Sequence, residues 1–184
     1  MSWGRVAIDI TVKHLSSRNC YKYILTVMDY FTKWAEACPI RDHKATMVAR
    51  VLHENYFTRL GIPEEIISDQ WPEFEGELFI ELCKSFNINK FRTSPYRPST
   101  NGMVERYHRT LNQMLGKVVS DTHRDWDLYV PAAAATYRAS KHVVMGVHTK
   151  YHDVGQRSSS AGKHCPWDAD KRRRALDKCP RVCR

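Results

Sequence analysis

Apolar positions along this chain change their spacing, and the changes separate predicted strands from predicted helices. Val, Ile, Tyr and Thr concentrate in three runs near the start, at residues 5–12, 21–29 and 33–39. Their short connections predict an antiparallel meander. Apolar side chains then recur at helical spacing over residues 43–60, up to Gly61, and again over 74–86. Short runs at 64–68 and 89–93 complete a predicted mixed five-stranded sheet flanked by helices, an α/β fold.

The second half of the chain opens with a proline-containing loop at residues 94–101, which cannot be regular helix or central strand. A helix is predicted from about residue 102, and a last helix over 125–139. The apolar stripe of the first of these helices is Tyr107, Leu111, Met114, Leu115 and Val118. Another face carries Glu105, His108, Arg109 and Asn112, so Glu105 is predicted to lie away from the packing stripe.

Composition and charge divide the chain into a body and a tail. An apolar fraction of 42% allows a packed interior, and the net charge is +9. Residues 162–184 hold eight Lys/Arg against three Asp/Glu, so the tail supplies +5 of that charge. We predict a core at residues 1–157 and a basic, disordered tail at 158–184, with polyanions as partners. The sequence shows no secretion signal and no apolar run of membrane-spanning length.

Three carboxylates stand at positions that a scaffold would hold rigid. Asp9 lies inside a Val/Ile strand, Asp69 closes another apolar run, and Glu105 opens a helix. A carboxylate within such a strand is costly to bury without a cation or a partner. Three converging carboxylates in a basic protein predict a site for Mg²⁺ or Mn²⁺ acting on a phosphodiester. The alternative is three unconnected surface acids, and residue types and spacing alone do not choose between the two.

Several motifs occur together in one order and at one spacing. They are Ile-Asp-Ile at 8–10, the run from Tyr23 to Trp34, Gly-Ile-Pro at 61–63, Ile-Ser-Asp-Gln at 67–70, residues 94–102 and Val-Glu-Arg at 104–106. In these motifs, residues 3–138 resemble the catalytic core of retroviral and long-terminal-repeat retrotransposon integrases, with the Gypsy type most similar. The resemblance implies a ribonuclease H-like fold and a polynucleotidyl transferase. Such an enzyme processes the 3′ ends of element DNA and transfers them to target DNA.

The resemblance also implies a site and partners. Asp9, Asp69 and Glu105 would be the catalytic residues and would hold two Mg²⁺ or Mn²⁺ ions, with Asp9 as our choice for the bridging ligand. The partners would be element ends and target DNA, in a homodimer or higher multimer. We expect an intracellular location, nuclear or cytoplasmic.

Five residues on the loop and helix around Glu105 are predicted to contact nucleic acid. They are Arg97, Asn101, Arg106, Arg109 and Lys117. The alternative is a solvated helix face, which is the better interpretation for Lys117.

One feature departs from the family pattern. Trp71-Pro72 stands beside Asp69, where the family has Gly or Arg and no proline, and we expect this to disturb the turn.

A fourth acid, Asp29, looks like a further metal ligand, but we interpret it as a hydrogen-bond partner of the turn at 30–32.

Three functions remain open. The triad favours an active transferase core. Trp71-Pro72, together with the expected absence of the family's upstream zinc domain and downstream β-rich domain, favours a catalytically inactive nucleic-acid-binding or dimerisation remnant. A nuclease acting on RNA–DNA hybrid is the third, and the thirty-five residues between Asp69 and Glu105 argue against it.

Overall fold

A computed structural model describes residues 4–11, 13–69, 71–93 and 102–140. Five strands form one sheet: β1 (Arg5–Ile10), β2 (Tyr23–Asp29), β3 (Ala35–Ile40), β4 (Glu65–Ser68) and β5 (Asn89–Arg92). Their order is β3-β2-β1-β4-β5. β1, β2 and β3 pair antiparallel, whereas β4 is parallel to β1 and β5 is parallel to β4. The predicted mixed five-stranded sheet is confirmed, and β1 lies at its centre.

Helices cover both faces of this sheet. α1 (Ala45–Val51) continues through a π-helix (Leu52–Phe57) into α2 (Thr58–Leu60), and α3 (Pro72–Glu75) precedes α4 (Glu77–Ser85). The second half contributes α5 (Gly102–Val118) and α6 (Trp126–Ala139). None of the helices in the described part of the chain is long and apolar enough to cross a membrane.

Alternation along β1 decides which side chains meet which helices. Val6, Ile8 and Ile10 belong to the core on the side of α1, the π-helix and α4, whereas Ala7 belongs to the core that includes α5 and α6. Since neighbouring side chains on a strand point to opposite faces, Asp9 shares the face of Ala7. The fold therefore directs the Asp9 side chain toward α5.

The predicted helix ends and faces are mostly confirmed, with two exceptions in the segment at 74–86 and a third at Val118. Val118 was predicted in the apolar stripe of α5 but is 51% exposed in the last turn of that helix. Gly61 ends the first helix with φ of +94°, a backbone conformation that glycine adopts without a Cβ penalty. Gly76, however, is extended and separates α3 from α4, where the pattern predicted one helix. Leu78 was predicted in the apolar stripe but is 44% exposed, and the buried face of α4 is formed by Phe79 and Cys83.

Candidate active site

Asp9 is held by its neighbours in the middle of the sheet. It is 7% exposed, and one carboxylate oxygen, Oδ1, accepts the Ile10 N–H at 2.8 Å. Burial, followed by the negative charges of Asp69 and Glu105, raises the pKa of Asp9 to about 7, while the Ile10 hydrogen bond opposes the rise. A carboxylate buried near two other acids is unstable as an anion unless a cation neutralises it.

Asp69 lies immediately after β4 and is fixed by the turn that follows. Its Oδ1 accepts the Trp71 N–H at 3.2 Å. Burial is the main cause that raises the pKa of Asp69, and the charge of Glu73 adds to it. Because β1 and β4 are parallel, Asp9 and Asp69 lie toward the same, carboxyl end of the sheet.

Trp71-Pro72 forms the start of a helix. Trp71 is extended, with φ of −60° and ψ of 135°, and Pro72 occupies the first turn of α3, where a missing N–H costs nothing. The Trp71 ring packs edge-on against His43, and the two ring centroids are 5.8 Å apart. His43 also contacts the Glu73 carboxylate. These contacts brace the turn that orients Asp69.

Glu105 is exposed in the first turn of α5. Its charge contributes to the raised pKa of Asp9, so it lies within electrostatic reach of the buried carboxylate. The three acids provide the oxygen donors that Mg²⁺ and Mn²⁺ prefer, and their mutual repulsion at Asp9 fits a cation. Yet among the described residues no group of three or more His, Cys, Asp and Glu side chains is close enough to hold a metal ion. Convergence of all three on the metal site therefore stays a prediction.

His108 is a site residue to which the sequence interpretation assigned no role. Its Nε2 lies 2.6 Å from Thr26 Oγ1, and its Nδ1 lies 3.5 Å from Asp9 Oδ2. Burial, with a smaller effect of His14, lowers the pKa of His108 to about 4, so the ring is neutral at pH 7. The available signal was its spacing, because His108 follows Glu105 by three residues and shares its helix face.

The predicted nucleic-acid contacts fall into two groups. Arg106, Arg109 and Lys117 are exposed on α5. Arg97 and Asn101 lie outside the described residues. Burial lowers the pKa of Lys33, and the nearby charge of Arg106 lowers it further, so a cation on the β2–β3 turn adjoins the predicted surface. The sequence interpretation did not include Lys33.

Asp29 has the structural role that we predicted. It is buried, and its Oδ2 accepts the Thr32 N–H at 2.7 Å and the Thr32 hydroxyl at 2.6 Å. These bonds satisfy one carboxylate oxygen within the turn after β2. Asp29 is thereby a brace of the β2–β3 connection.

Comparison of the sequence with known proteins finds a matching family and several relatives. A sequence model of the family described as integrase core domain matches residues 2–98. The Gag-Pol polyprotein of avian reticuloendotheliosis virus is 32% identical over 133 residues, which are 72% of this chain and 12% of the polyprotein. The Pol polyprotein from transposon 412 of Drosophila melanogaster is 28% identical over 163 residues, which are 89% of this chain and 13% of the polyprotein. This chain thus spans about an eighth of these relatives' length.

Solved structures give the same fold. The HTLV-2 integrase catalytic core, in complex with magnesium and in a trimeric form, aligns with a TM-score of 0.64 and 19% identity. The alignment covers 82% of this chain and 96% of that core. The simian T-cell lymphotropic virus intasome, in complex with the PP2A regulatory subunit B56 gamma, aligns with a TM-score of 0.72 and 21% identity over 90% of this chain and 59% of that one. The ribonuclease H-like fold is therefore confirmed. Because both retroviral and retrotransposon relatives match, assignment to the Gypsy type stays a prediction.

Proposed function

The chain belongs to the integrase core domain family, and we propose that it is a polynucleotidyl transferase core acting on DNA phosphodiesters. The proposed reactions are processing of 3′ ends and strand transfer of those ends into target DNA. The single observation that carries the proposal is the environment of Asp9, a carboxylate buried in the central strand whose pKa is raised by burial, by Asp69 and by Glu105. A fold gains nothing in stability from such a group, so its place is better explained by chemistry.

Asp9, Asp69 and Glu105 are the residues that would hold divalent cations, Mg²⁺ or Mn²⁺. When bound, two such cations would supply charge stabilisation at the attacking and the leaving oxygen. Asp9 would present Oδ2, because its other oxygen is engaged by the Ile10 N–H. Asp69 would present its carboxylate in the orientation that the Trp71 N–H maintains.

DNA and further copies of the chain are the proposed partners. Arg106, Arg109 and Lys117 on α5, with Arg97 and Asn101, would position phosphates by charge-assisted hydrogen bonds. Residues 1–157 would form the core, and the basic residues 158–184 would add phosphate contacts. A homodimer or higher multimer would bring two DNA ends together, in the nucleus or the cytoplasm.

One observation favours a second candidate, a catalytically inactive module that binds nucleic acid. In the described ranges, no three potential ligands are gathered closely enough to hold a metal ion. An inactive module would keep the exposed basic face of α5 and would not need the carboxylates to assemble.

Substitution of Glu105 by Gln distinguishes the two candidates. The change keeps size and hydrogen bonding but removes one negative charge from the site. With a branched DNA substrate and Mn²⁺, wild type should cleave and rejoin strands, and the variant should lose activity by about 10²-fold or more, because such charge stabilisation contributes several kcal/mol. DNA affinity measured without metal should be unchanged or slightly higher.

Glu81→Gln is the matched control, since Glu81 is exposed on α4, away from α5. It should behave as wild type. Activity that survives in Glu105→Gln would mean that the triad is misassigned. Inactivity of wild type and both variants, with DNA binding retained, would support the inactive module.

A further inference from the structure

A cavity of about 270 Å³ lies beside the C-terminal half of α5, beyond the part of the helix that carries Glu105. The β1–β2 connection, α5 and the start of α6 line it, and most of the lining surface is apolar. The lining includes His14, Leu15, Asn112, Gly116, His123 and Trp126. Pockets for drug-sized ligands have volumes of about 300–1,000 Å³, so this cavity fits one flat ring system or one apolar side chain.

Trp126 and His14 supply flat ring surfaces at the cavity. Their ring centroids are 5.0 Å apart, and the ring planes are inclined by 34°. The Trp126 Nε1–H donates to the Leu15 main-chain carbonyl at 2.8 Å, so the indole is held in place and its N–H is already used. Burial lowers the pKa of His14, so this ring is neutral at pH 7. The cavity therefore offers ring faces and apolar surface, which favour stacking.

Gly116 leaves the cavity open on the side of α5. The helix continues past it, because the Val119 N–H bonds to the Leu115 carbonyl, and its φ is not in the left-handed region. Glycine is less favourable inside a helix than every residue except proline. Outside its own stretch of helix, a Cβ added at Gly116 would meet no atom of the described residues within 4 Å. The glycine thus weakens the helix without a packing reason, whereas an open cavity explains it.

The cavity continues a helix face that leads away from Glu105. Glu105, Arg109, Asn112 and Gly116 follow one another at spacings of four, three and four residues, which places them on one face of α5. At about 1.5 Å per residue, Asn112 lies about 10 Å and Gly116 about 17 Å along the helix from Glu105. Stacked nucleotides advance by about 3.4 Å, so a strand that runs along this face reaches the cavity about three to five nucleotides from Glu105.

The charge around the cavity favours a polyanion over an uncharged partner. Within three residues of a lining position along the chain, five cations are exposed: Lys13, Arg18, Arg109, Lys117 and Arg124. The exposed acid in the same stretches is Asp121. Asp125 and Asp127, which flank Trp126, accept hydrogen bonds from Ser120 and from Asn19 respectively, and Asp127 is buried. Phosphates on both sides of the cavity would therefore meet cations.

We propose that this cavity is a subsite for one nucleobase, splayed out of a DNA strand whose phosphates lie on the surrounding cations. The base stacks on the rings of Trp126 and His14, and the exposed Asn112 amide can donate to its edge or accept from it. Every base has a flat face, so the subsite tolerates different sequences. The inference rests on the proposed function, because it assumes that the chain binds nucleic acid.

The test compares two single strands that carry the same number of phosphates, a thymidine oligonucleotide and an oligonucleotide of abasic sites, each about ten residues long. Fluorescence anisotropy of the labelled strands gives their affinities for the full chain. Wild type should bind the thymidine strand about fivefold or more tightly than the abasic strand, as expected for one base stacked on an aromatic ring.

Gly116→Leu fills the cavity from a position where space is open for a Cβ. This variant should lose most of the preference for the thymidine strand. Its affinity for the abasic strand, and the slope of log K against log salt, should equal those of wild type, because no phosphate contact is removed.

Gln113→Leu is the matched control. It adds the same side chain at an exposed position of α5 outside the cavity lining, and it should keep the preference of wild type. A second measurement needs no variant and keeps the inference testable should Gly116→Leu fail to fold. In wild type, the NMR signal of the Trp126 indole N–H should shift with the thymidine strand and much less with the abasic strand.

The outcomes separate this inference from the proposed function. Equal affinity of wild type for the two strands would overturn the inference and leave DNA binding by phosphate contacts intact. A preference that survives in Gly116→Leu, or that Gln113→Leu also loses, would overturn it as well, and the cavity would then suit an apolar side chain of a protein partner. Failure of wild type to bind either strand would overturn both the inference and the proposed DNA contacts.

Discussion

Asp9→Asn should stabilise the metal-free protein at neutral and alkaline pH. The substitution removes a carboxylate that is 7% exposed and lies near Asp69 and Glu105. Asn keeps the shape, and its carbonyl can accept the Ile10 N–H. The variant therefore removes the buried charge while it preserves this hydrogen bond.

The expected magnitude follows from the raised pKa. The pKa of Asp9 rises from 3.8 to about 7 in the folded chain, and each unit corresponds to about 1.4 kcal/mol. The unfolded chain releases the Asp9 proton above about pH 4, whereas the folded chain keeps it until about pH 7, so the free energy of unfolding falls as pH rises through this window. The Asp9 contribution is then a destabilisation of about 1.5 kcal/mol at about pH 5 and about 4 kcal/mol at about pH 8.

Urea denaturation of wild type and Asp9→Asn in EDTA, at about pH 5 and about pH 8, measures this difference. Other groups titrate in the same range, and His108, with its pKa lowered to about 4, opposes the trend because the unfolded chain protonates it first. Comparing the two proteins at each pH largely cancels these shared contributions. The stability advantage of the variant should grow by about 2–3 kcal/mol between the two pH values.

Asp29→Asn is a control with the opposite expected sign. Asp29 is equally buried, but its carboxylate accepts two hydrogen bonds from Thr32, and weakening them should destabilise the fold by about 1–3 kcal/mol. If Asp9→Asn changes stability equally at both pH values, or destabilises the protein at about pH 8, burial does not strain the Asp9 carboxylate, and its place in the sheet no longer indicates a cation site.

Two further predictions concern the core and the tail. Phe79→Ala should lower the free energy of unfolding by about 3–5 kcal/mol, because Phe79 is fully buried. Leu78→Ala, beside it on α4, should lower it by less than about 1 kcal/mol, because Leu78 is 44% exposed. Equal losses in urea denaturation would contradict the assigned helix face. Deletion of residues 158–184 should weaken DNA binding, and the slope of log K against log salt should become shallower by about 0.9 for each phosphate that these residues neutralise. Arg106→Ala should make the slope shallower by about 0.9 in total. An unchanged slope after the deletion would assign the deleted segment no role in binding.

Local patterns along the chain were sufficient to predict much of the fold. Apolar residues that recur every second position indicated the strands, and apolar residues that recur every three to four positions indicated the main helices. The spacings differ because side chains on one face of a strand or helix repeat with the period of that element's backbone. Central strands buried on both faces appeared as continuous Val/Ile runs, and Asp9 stood out because it interrupts one of them. The other two acids of the candidate triad were visible from their positions, since Asp69 directly follows β4 and Glu105 lies in the first turn of α5.

The break at Gly76 was less accessible to such reasoning. A glycine costs only about 1 kcal/mol in a helix, so its presence does not decide whether a helix continues. In the folded chain Phe74 of α3 and Phe79 and Cys83 of α4 are buried, whereas Leu78 is exposed, and this arrangement is a property of the tertiary packing.

The surroundings of Asp9 depend on contacts between residues far apart in the chain. His108 lies ninety-nine positions from Asp9, and only the packing of α5 across β1 and β2 brings its ring onto Thr26 and Asp9. Sequence spacing placed His108 on the helix face of Glu105, but it could not supply the depth of burial or the direction of Nδ1. Charge, residue type and periodicity are local properties of the chain, whereas desolvation and ligand geometry are properties of the folded interior, and they arise only when the sheet and α5 close around the carboxylate.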